Sequence, residues 1–373
     1  MHPGSHAFNG GSPDGDVGAP GRRPLTDMFD LPSSPWIVHA VILVIAGTTI
    51  GIGGVKLASL ADRLADRTGL GEAITGTVFL GLTTALPGLA ASVTAAWEGR
   101  PALAISNAIG GIAIQTAFLA IADVAHLKAN LEHAAASVAN MIQTTILLGL
   151  LVLTLLGLTG PDVTVLNVHP VTIGLLLAAV CGFGLVIKSS TTPMWTPRVT
   201  SATVEDIPDK GNQRSSLGRL LAGFATSAVV VTAAGAAAAH SSGVIAEQTG
   251  LSDTVAGGLL SGVATSLPEL VTTVAAVRRG ALTLAVSDIV GGNFFDVLFV
   301  CAADLIYMDG SLYHAVGVGP REAFLTGLAI ALNIVLLLGL LYRQRSGPGN
   351  IGFESLLILV IYVGGFLVIS TLM

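Results

Sequence analysis

Two short apolar stretches hold most of the residues that could do chemistry. Thr84 and Pro87 stand in the first. Thr265, Ser266, Pro268 and Glu269 stand in the second, and another carboxylate, Asp288, follows in the next apolar segment. A proline lacks a backbone N–H and clashes with the carbonyl four residues earlier. Pro87 is therefore expected to free the carbonyl of Thr83, and Pro268 that of Ala264. Carbonyls, hydroxyls and a carboxylate form an all-oxygen set, which suits hard cations such as Na⁺ and Ca²⁺. An ionisable group at the bilayer centre costs about 2.5–3.5 kcal/mol on insertion scales, so such groups usually face a cavity and serve a function. Asp288, Gly292 and Asp296 recur every fourth residue and share one helix face. Asn107, Gly111 and Gln115 do the same one segment after Pro87. The glycines permit close approach of the two helices, and the polar residues would meet across it.

The candidate ligands are thus Glu269, Asp288, Thr265, Ser266, Thr84, Asn107, the carbonyls of Thr83 and Ala264, and Asp296. Two turns of helix set Asp296 roughly 12 Å from Asp288. Gln115 and Gln143 read as hydrogen-bonding links between helices. Asp123, Asp304 and Glu354 fall near segment ends and are expected at the membrane interface. Ser106 and Ser287 are either ligands or small packing residues.

These residues need apolar segments to position them, and the composition supplies those. Of 373 residues, 52% are hydrophobic and 11% charged, where a soluble chain carries about a quarter charged. Ten segments are long and apolar enough to read as helices, most of them able to cross roughly 30 Å of hydrocarbon. They run approximately Trp36–Val55, Ala73–Trp97, Ala102–Val124, Ala134–Leu158, Val171–Ile187, Leu217–His240, Val255–Val277, Leu282–Tyr307, Ala323–Leu341 and Leu356–Leu372. The fold class is all-α, a polytopic membrane protein. Residues 1–35, rich in Gly, Pro, Asp and Ser with no apolar run, read as a disordered tail and not a cleaved signal.

Several chemistries find no support. Cys181 and Cys301 are far apart inside apolar segments, and no CxxC, HExxH or Walker pattern occurs. Zinc, haem or another resident cofactor is not expected, nor is nucleic acid as a partner. A nucleophile–base pair is missing, which argues against an enzyme.

Lys and Arg set the orientation. Lys56, Arg63, Arg67, Lys128, Lys188, Arg198, Lys210, Arg214, Arg219, Arg278, Arg279, Arg343 and Arg345 fall on one side, and only Arg22, Arg23, Arg100 and Arg321 on the other. The first side is expected to be cytoplasmic, with both termini outside the cell membrane.

A shift of about 181 residues aligns Gly81–Asp123 with Gly262–Asp304 without a gap. Thr84/Thr265, Pro87/Pro268, Gly99/Gly280, Ser106/Ser287, Gly110–Gly111/Gly291–Gly292 and Asp123/Asp304 coincide. Segment two therefore matches seven, and three matches eight. The offset of five segments is odd, so the second copy is inverted in the membrane. The expected plan is one five-helix repeat over 36–188, a cytoplasmic loop over 189–216, and a second repeat over 217–373. Inverted repeats with interrupted helices are the architecture of many secondary transporters.

These stretches resemble the two alpha-repeats of the calcium/cation antiporter superfamily, the sodium/calcium exchanger group. The second copy reads Ala264-Thr265-Ser266-Leu267-Pro268-Glu269 and then Ser287-Asp288-Ile289-Val290-Gly291-Gly292-Asn293. The first reads Thr83-Thr84-Ala85-Leu86-Pro87-Gly88 and then Ser106-Asn107-Ala108-Ile109-Gly110-Gly111-Ile112. The resemblance implies a cation site among four central helices and alternating access, with helices one and six sliding past the core. It also implies transported cations (Ca²⁺ exchanged for Na⁺ or H⁺) in place of a cofactor. Thr84, Thr265, Ser266, Glu269, Asn107 and Asp288 carry over as ligands. Where the family has a glutamate in both repeats, this chain has Gly88 in the first, and Ala85 replaces a serine. That departure leaves room for another exchanged cation, such as Mg²⁺ against H⁺ or a monovalent pair, or for a non-transporting cation sensor or scaffold.

Overall fold

A computed structural model describes residues 36–125, 129–135, 137–191, 193–204, 216–249, 253–347 and 351–372. The expected tail, 1–35, and the middle of the expected loop lie outside the described residues. Among the described residues nine continuous helices are long and apolar enough to cross a membrane, and one bent pair makes a tenth span. In chain order they are α1 (Trp36–Thr68), α2 (Gly71–Trp97), α3 (Pro101–Ala125), α4 (Val138–Thr159) and α5 (Pro170–Thr191). The second five are α6 (Leu217–Thr249), α7 (Gly258–Thr265 and Leu267–Arg279, bent by 49°), α8 (Leu282–Ile306), α9 (Pro320–Tyr342) and α10 (Phe353–Leu372).

The packing repeats between the two sets of five. α2 lies against α8, and α7 against α3; α3 and α8 cross each other at the centre. α1 pairs with α6, then rests on α7 while α6 rests on α2. α3 and α8 are largely buried, with apolar residues on every side and a few polar ones set among them, as helices enclosed by other helices can be. α1 and α6 are mostly exposed along their sides, as lipid-facing helices would be.

Small residues make the central contacts possible. A Cβ on Gly81 of α2 would lie 2.7 Å from the Gly292 nitrogen of α8. One on Gly291 of α8 would lie 2.6 Å from the Thr77 Cα of α2. Backbones that touch at such points leave no room for a side chain, the usual device of close helix packing in lipid.

α1 runs past its expected end at Val55 and reaches Thr68. The extension KLASLADRLADRT is amphipathic. Leu57, Leu60, Ala61, Leu64 and Ala65 recur at helical spacing and are buried, while Lys56 and Arg67 sit on other faces. Apolar-run reading misses such a segment because its charges end the run before the helix ends.

The two prolines act differently. Pro87 stays inside the continuous helix Leu82–Trp97. At Pro268 the helix stops and restarts: Ser266 leaves helical geometry (φ −93°, ψ 4°) and Pro268 falls in the first turn of the new piece. A first-turn N–H has no intrahelical acceptor, so its loss there is harmless. Upstream of each proline the chain makes one π-helical turn, Gly76–Gly81 in α2 and Ala256–Ser261 leading into α7. Single π turns inside α-helices are rare and recur at functional sites.

Candidate cation site

The site forms where α2, α3, α7 and α8 meet. Glu269 sits in the first turn after the α7 break, where the N-terminal end of a helix favours negative charge. It is fully buried, and neither of its carboxylate oxygens has a hydrogen-bond partner. Asp296 of α8 and Gln115 of α3 lie beside it. Gln115 Nε2 donates to Asp296 Oδ2 at 2.7 Å and to Ser266 Oγ at 3.1 Å. Gln115 Oε1 is buried with no donor. Gly292 fixes how these groups face each other, since a Cβ there would lie 2.8 Å from Gln115 Oε1 and 3.7 Å from Glu269 Cγ. Gly111 does the same for Asp296, whose Oδ2 would be 3.0 Å from an added Cβ.

Two threonines complete the wall. Thr84 Oγ1 donates to the Leu80 carbonyl at 2.9 Å, and Thr265 Oγ1 to the Ser261 carbonyl at 2.9 Å. Both hydroxyls give their protons back to their own helices, so the oxygen lone pairs remain to accept a cation.

Asp288 is one turn of helix removed from Gly292 and is held differently. Its Oδ2 accepts from Thr272 Oγ1 at 2.5 Å and Thr273 Oγ1 at 3.2 Å, and its Oδ1 is unpartnered. Asn107, its equivalent in α3, spends every polar atom on protein. Its Nδ2 donates to the Gly88 carbonyl (3.1 Å) and Ser92 Oγ (2.9 Å), while its Oδ1 accepts from Ser261 Oγ (2.7 Å).

The structure brings Asp296 and Ser266 together with Gln115, with Glu269 across Gly292 from it, while Thr84 and Thr265 bond to carbonyls of their own helices. It gives Asn107 a positioning contact with the α2 backbone. The carbonyl of Thr83 does lack its helical donor, but Thr232 Oγ1 of α6 lies 3.4 Å from it. Ala264 is buried beside the α7 break. Ser287 donates to backbone carbonyls, including that of Glu72 at 3.1 Å, and Ser106 donates to Glu322 Oε1 at 3.4 Å, so both serve packing. The cross-helix link of Gln115 to Asp296 joins residues 181 apart. That offset was the available signal, because repeat-equivalent residues on facing helices meet at the two-fold axis.

Asp123 and Asp304 lie near their helix ends but not in the open: both are fully buried. Each closes a helix start. Asp123 accepts from Leu131 N (2.6 Å), Gly352 N (3.0 Å) and Ser355 Oγ (2.9 Å). Asp304 accepts from Leu312 N (2.9 Å), His169 N (3.0 Å) and Thr172 Oγ1 (2.6 Å). Glu354 is buried as well. Near-terminal position in a span does not place a carboxylate in water when another chain segment folds over it.

No Lys or Arg is among the buried described residues, yet Glu269, Asp288 and Asp296 are. Among the described residues no three His, Cys, Asp or Glu side chains converge to hold a metal by themselves. Any cation held here takes part of its shell from hydroxyl, amide and backbone oxygens. Buried carboxylates without a basic partner call for a cation or protons.

Two inverted five-helix halves with buried carboxylates at their junction define a membrane transporter of the inverted-repeat class. The chain belongs to the sodium/calcium exchanger protein family, whose model matches residues 38–160 and 219–372. It is 26% identical over 317 residues to the antiporter CaxA of Alkalimonas amylolytica, covering 83% of this chain and 95% of that one. It is 31% identical over 125 residues to the sodium/calcium exchanger MaX1 of Methanosarcina acetivorans, a third (33%) of either chain. The solved sodium-calcium exchanger NCX_Mj shares the fold, with a TM-score of 0.65 at 18% identity over 91% of this chain and 100% of that one.

Proposed function

We propose that this protein is a secondary antiporter of the cell membrane that exchanges Ca²⁺ for Na⁺ or H⁺ by alternating access. The observation that carries the reading is Glu269. It is a fully buried carboxylate with both oxygens unpartnered, placed at a helix break beside the linked Gln115, Asp296 and Ser266. In this reading these residues hold the cation, and Asp288 tunes the charge from one turn away. Entering Na⁺ or H⁺ competes for the same oxygens, so the two ions cannot be bound together in full, and exchange follows.

α1 and α6 are the moving parts. Their lipid-exposed sides and mutual contact let them shift as a pair, and Gly235 of α6 lies against both prolines, where a Cβ would be 3.6 Å from Pro268 Cγ. In this reading the end rich in Lys and Arg faces the cytoplasm and both termini lie outside, which the bias of these residues in the sequence supports. The relatives' names support antiport, and one of them supports exchange of sodium and calcium. The test is flux in proteoliposomes: Ca²⁺ uptake driven by an outward Na⁺ or H⁺ gradient and abolished in Glu269→Gln. Uptake that ignores both gradients overturns the reading, and counterflow of another cation in place of Ca²⁺ changes its substrate.

A further inference from the structure

The Asp123 and Asp304 helix locks are equivalent, but one of them contains more than the lock requires. Around Asp304 the donors are the backbone N–H groups of Leu312 and His169 and Thr172 Oγ1, and Tyr313, 181 residues after Glu132, packs beside them with its hydroxyl 3.4 Å from Thr172 Oγ1 and its ring 5.0 Å from that of His169. Around Asp123 stand two further carboxyls, Glu132 in the turn Leu131–Ala134 and Glu354 at the start of α10. The Asp304 lock closes without them, so helix closure does not account for them.

Both glutamates are fully buried, and none of their four oxygens receives a hydrogen bond from a protein donor. Their side chains lie within hydrogen-bonding range of each other. Glu354 is folded inward over two glycines. A Cβ on Gly339 would lie 2.7 Å from its Cγ, and one on Gly352 would lie 2.5 Å from its Oε1.

Among the described residues the charges around the pair do not neutralise it. Asp123 on α3 adds a third carboxyl. Arg343, at the end of α9, turns its guanidinium to the carbonyls of Arg198 and His133 and to Thr203 Oγ1. His133 spends Nδ1 on the Arg343 carbonyl and Nε2 on Thr200 Oγ1. Arg345 meets this end through its backbone carbonyl, which accepts from Asn130 N. The nearby starts of α4 and α8 bring Asn140 and Thr283, neither of which titrates. Two touching carboxylates in a buried site cannot both ionise.

We propose that Glu132 and Glu354 together bind one proton, at a site separate from the central cation site, and that this proton joins the 129–135 turn to the start of α10. Burial first, then the charges of Asp123 and Glu354, push Glu132 well above the usual carboxylate range. A raised carboxyl favours the folded state while protonated. That contribution is present at low pH and is lost as pH rises from the ordinary glutamate value through the raised one. Loss of the proton places two charges face to face and parts the turn from α10.

The experiment is thermal unfolding of the full-length protein in detergent from about pH 5 to about pH 9, comparing wild type, Glu354→Gln and Glu132→Gln/Glu354→Gln. The double variant is expected to melt about 2–4 °C above wild type at the alkaline end, with the gap closing at the acid end. Infrared difference spectra of wild type, which need no variant to fold, are expected to show a protonated-carboxyl band that persists at neutral pH. The pair's contribution to that band should be lost in Glu132→Gln/Glu354→Gln, because Glu132 alone stays buried in Glu354→Gln. Parallel melting curves, or wild-type spectra without the band, overturn the proposal. A chelator that lowers wild-type melting at alkaline pH but spares the double variant also overturns it, by assigning the site to a metal ion.

Discussion

α2 and α7 occupy equivalent places, carry a proline at equivalent positions and make a π-helical turn ahead of it, yet only α7 breaks. Pro87 is followed by Gly88 and Pro268 by Glu269. The break gives Glu269 a first-turn position, where free backbone N–H groups and the helix dipole favour its charge. α2 has no charge to place there and stays whole. The difference teaches that a buried carboxylate and the local geometry that tolerates it belong together. A duplicated fold can thus keep its packing in both halves and concentrate its charge in one.

The sharpest way to test that division is to remove the charge. Glu269→Gln is expected to abolish exchange, an effect larger than the roughly 10–100-fold loss typical of residues that merely support a ligand. Residual flux within that range would demote Glu269 to a supporting role. Next comes the contact of α6 with both halves. Gly235→Val would drive a Cβ to 2.5 Å from Pro87 Cγ, and flux should fall strongly while the purified protein still binds the cation. Equal loss of binding and flux would locate the damage in the site itself.

Gln115→Ala removes the link between α3 and α8, so a loss of about 10–100-fold in apparent cation affinity is expected from competition assays. Gly88→Glu attacks the asymmetry directly. A Cβ there meets only Phe299 at 3.5 Å and Asp296 Oδ1 at 3.6 Å, ordinary contact distances. The variant should fold and, with a third carboxylate next to Asp296, bind divalent ions about tenfold tighter, or ~1.4 kcal/mol. An unchanged preference for divalent over monovalent ions would show that the empty position in α2 is not part of the site. The smallest effect is a stability one. Asp304→Asn and Asp123→Asn each weaken a helix lock and should cost about 1–3 kcal/mol, read as a lowered Tm with little change in ion affinity.

Much of this was legible in the residues. Long apolar runs, the 181-residue offset and the parity of five segments gave ten spans in two inverted halves. Proline physics and spacing of four picked out the helix faces that meet. Three things were not legible, each for a physical reason. The amphipathic end of α1 carries charges that hide its helicity from a search for apolar runs. Asp123, Asp304 and Glu354 are buried by segments remote in sequence, so their positions near helix ends pointed toward water. The division of labour between Asp288 and Asp296 depends on which hydroxyls each meets. Thr272 and Thr273 are themselves unremarkable in a Thr-rich helix, and only the fold sets them against Asp288.

The Gln115–Asp296 bond has a consequence beyond holding two helices. It joins a residue to its own counterpart, so it straddles the pseudo-two-fold axis that interchanges the halves. In an inverted repeat the same operation interchanges the two sides of the membrane. In the proposed reading an ion beside that bond sits near the axis that relates inside to outside, so the backbone frame around it is alike toward both sides. Any bias in direction then comes from the side chains that differ between the halves: Gly88 against Glu269, Asn107 against Asp288, Ala85 against Ser266, and Gln115 against Asp296 within the bond itself. The bond is the pivot of a balance, and those unlike pairs are its weights.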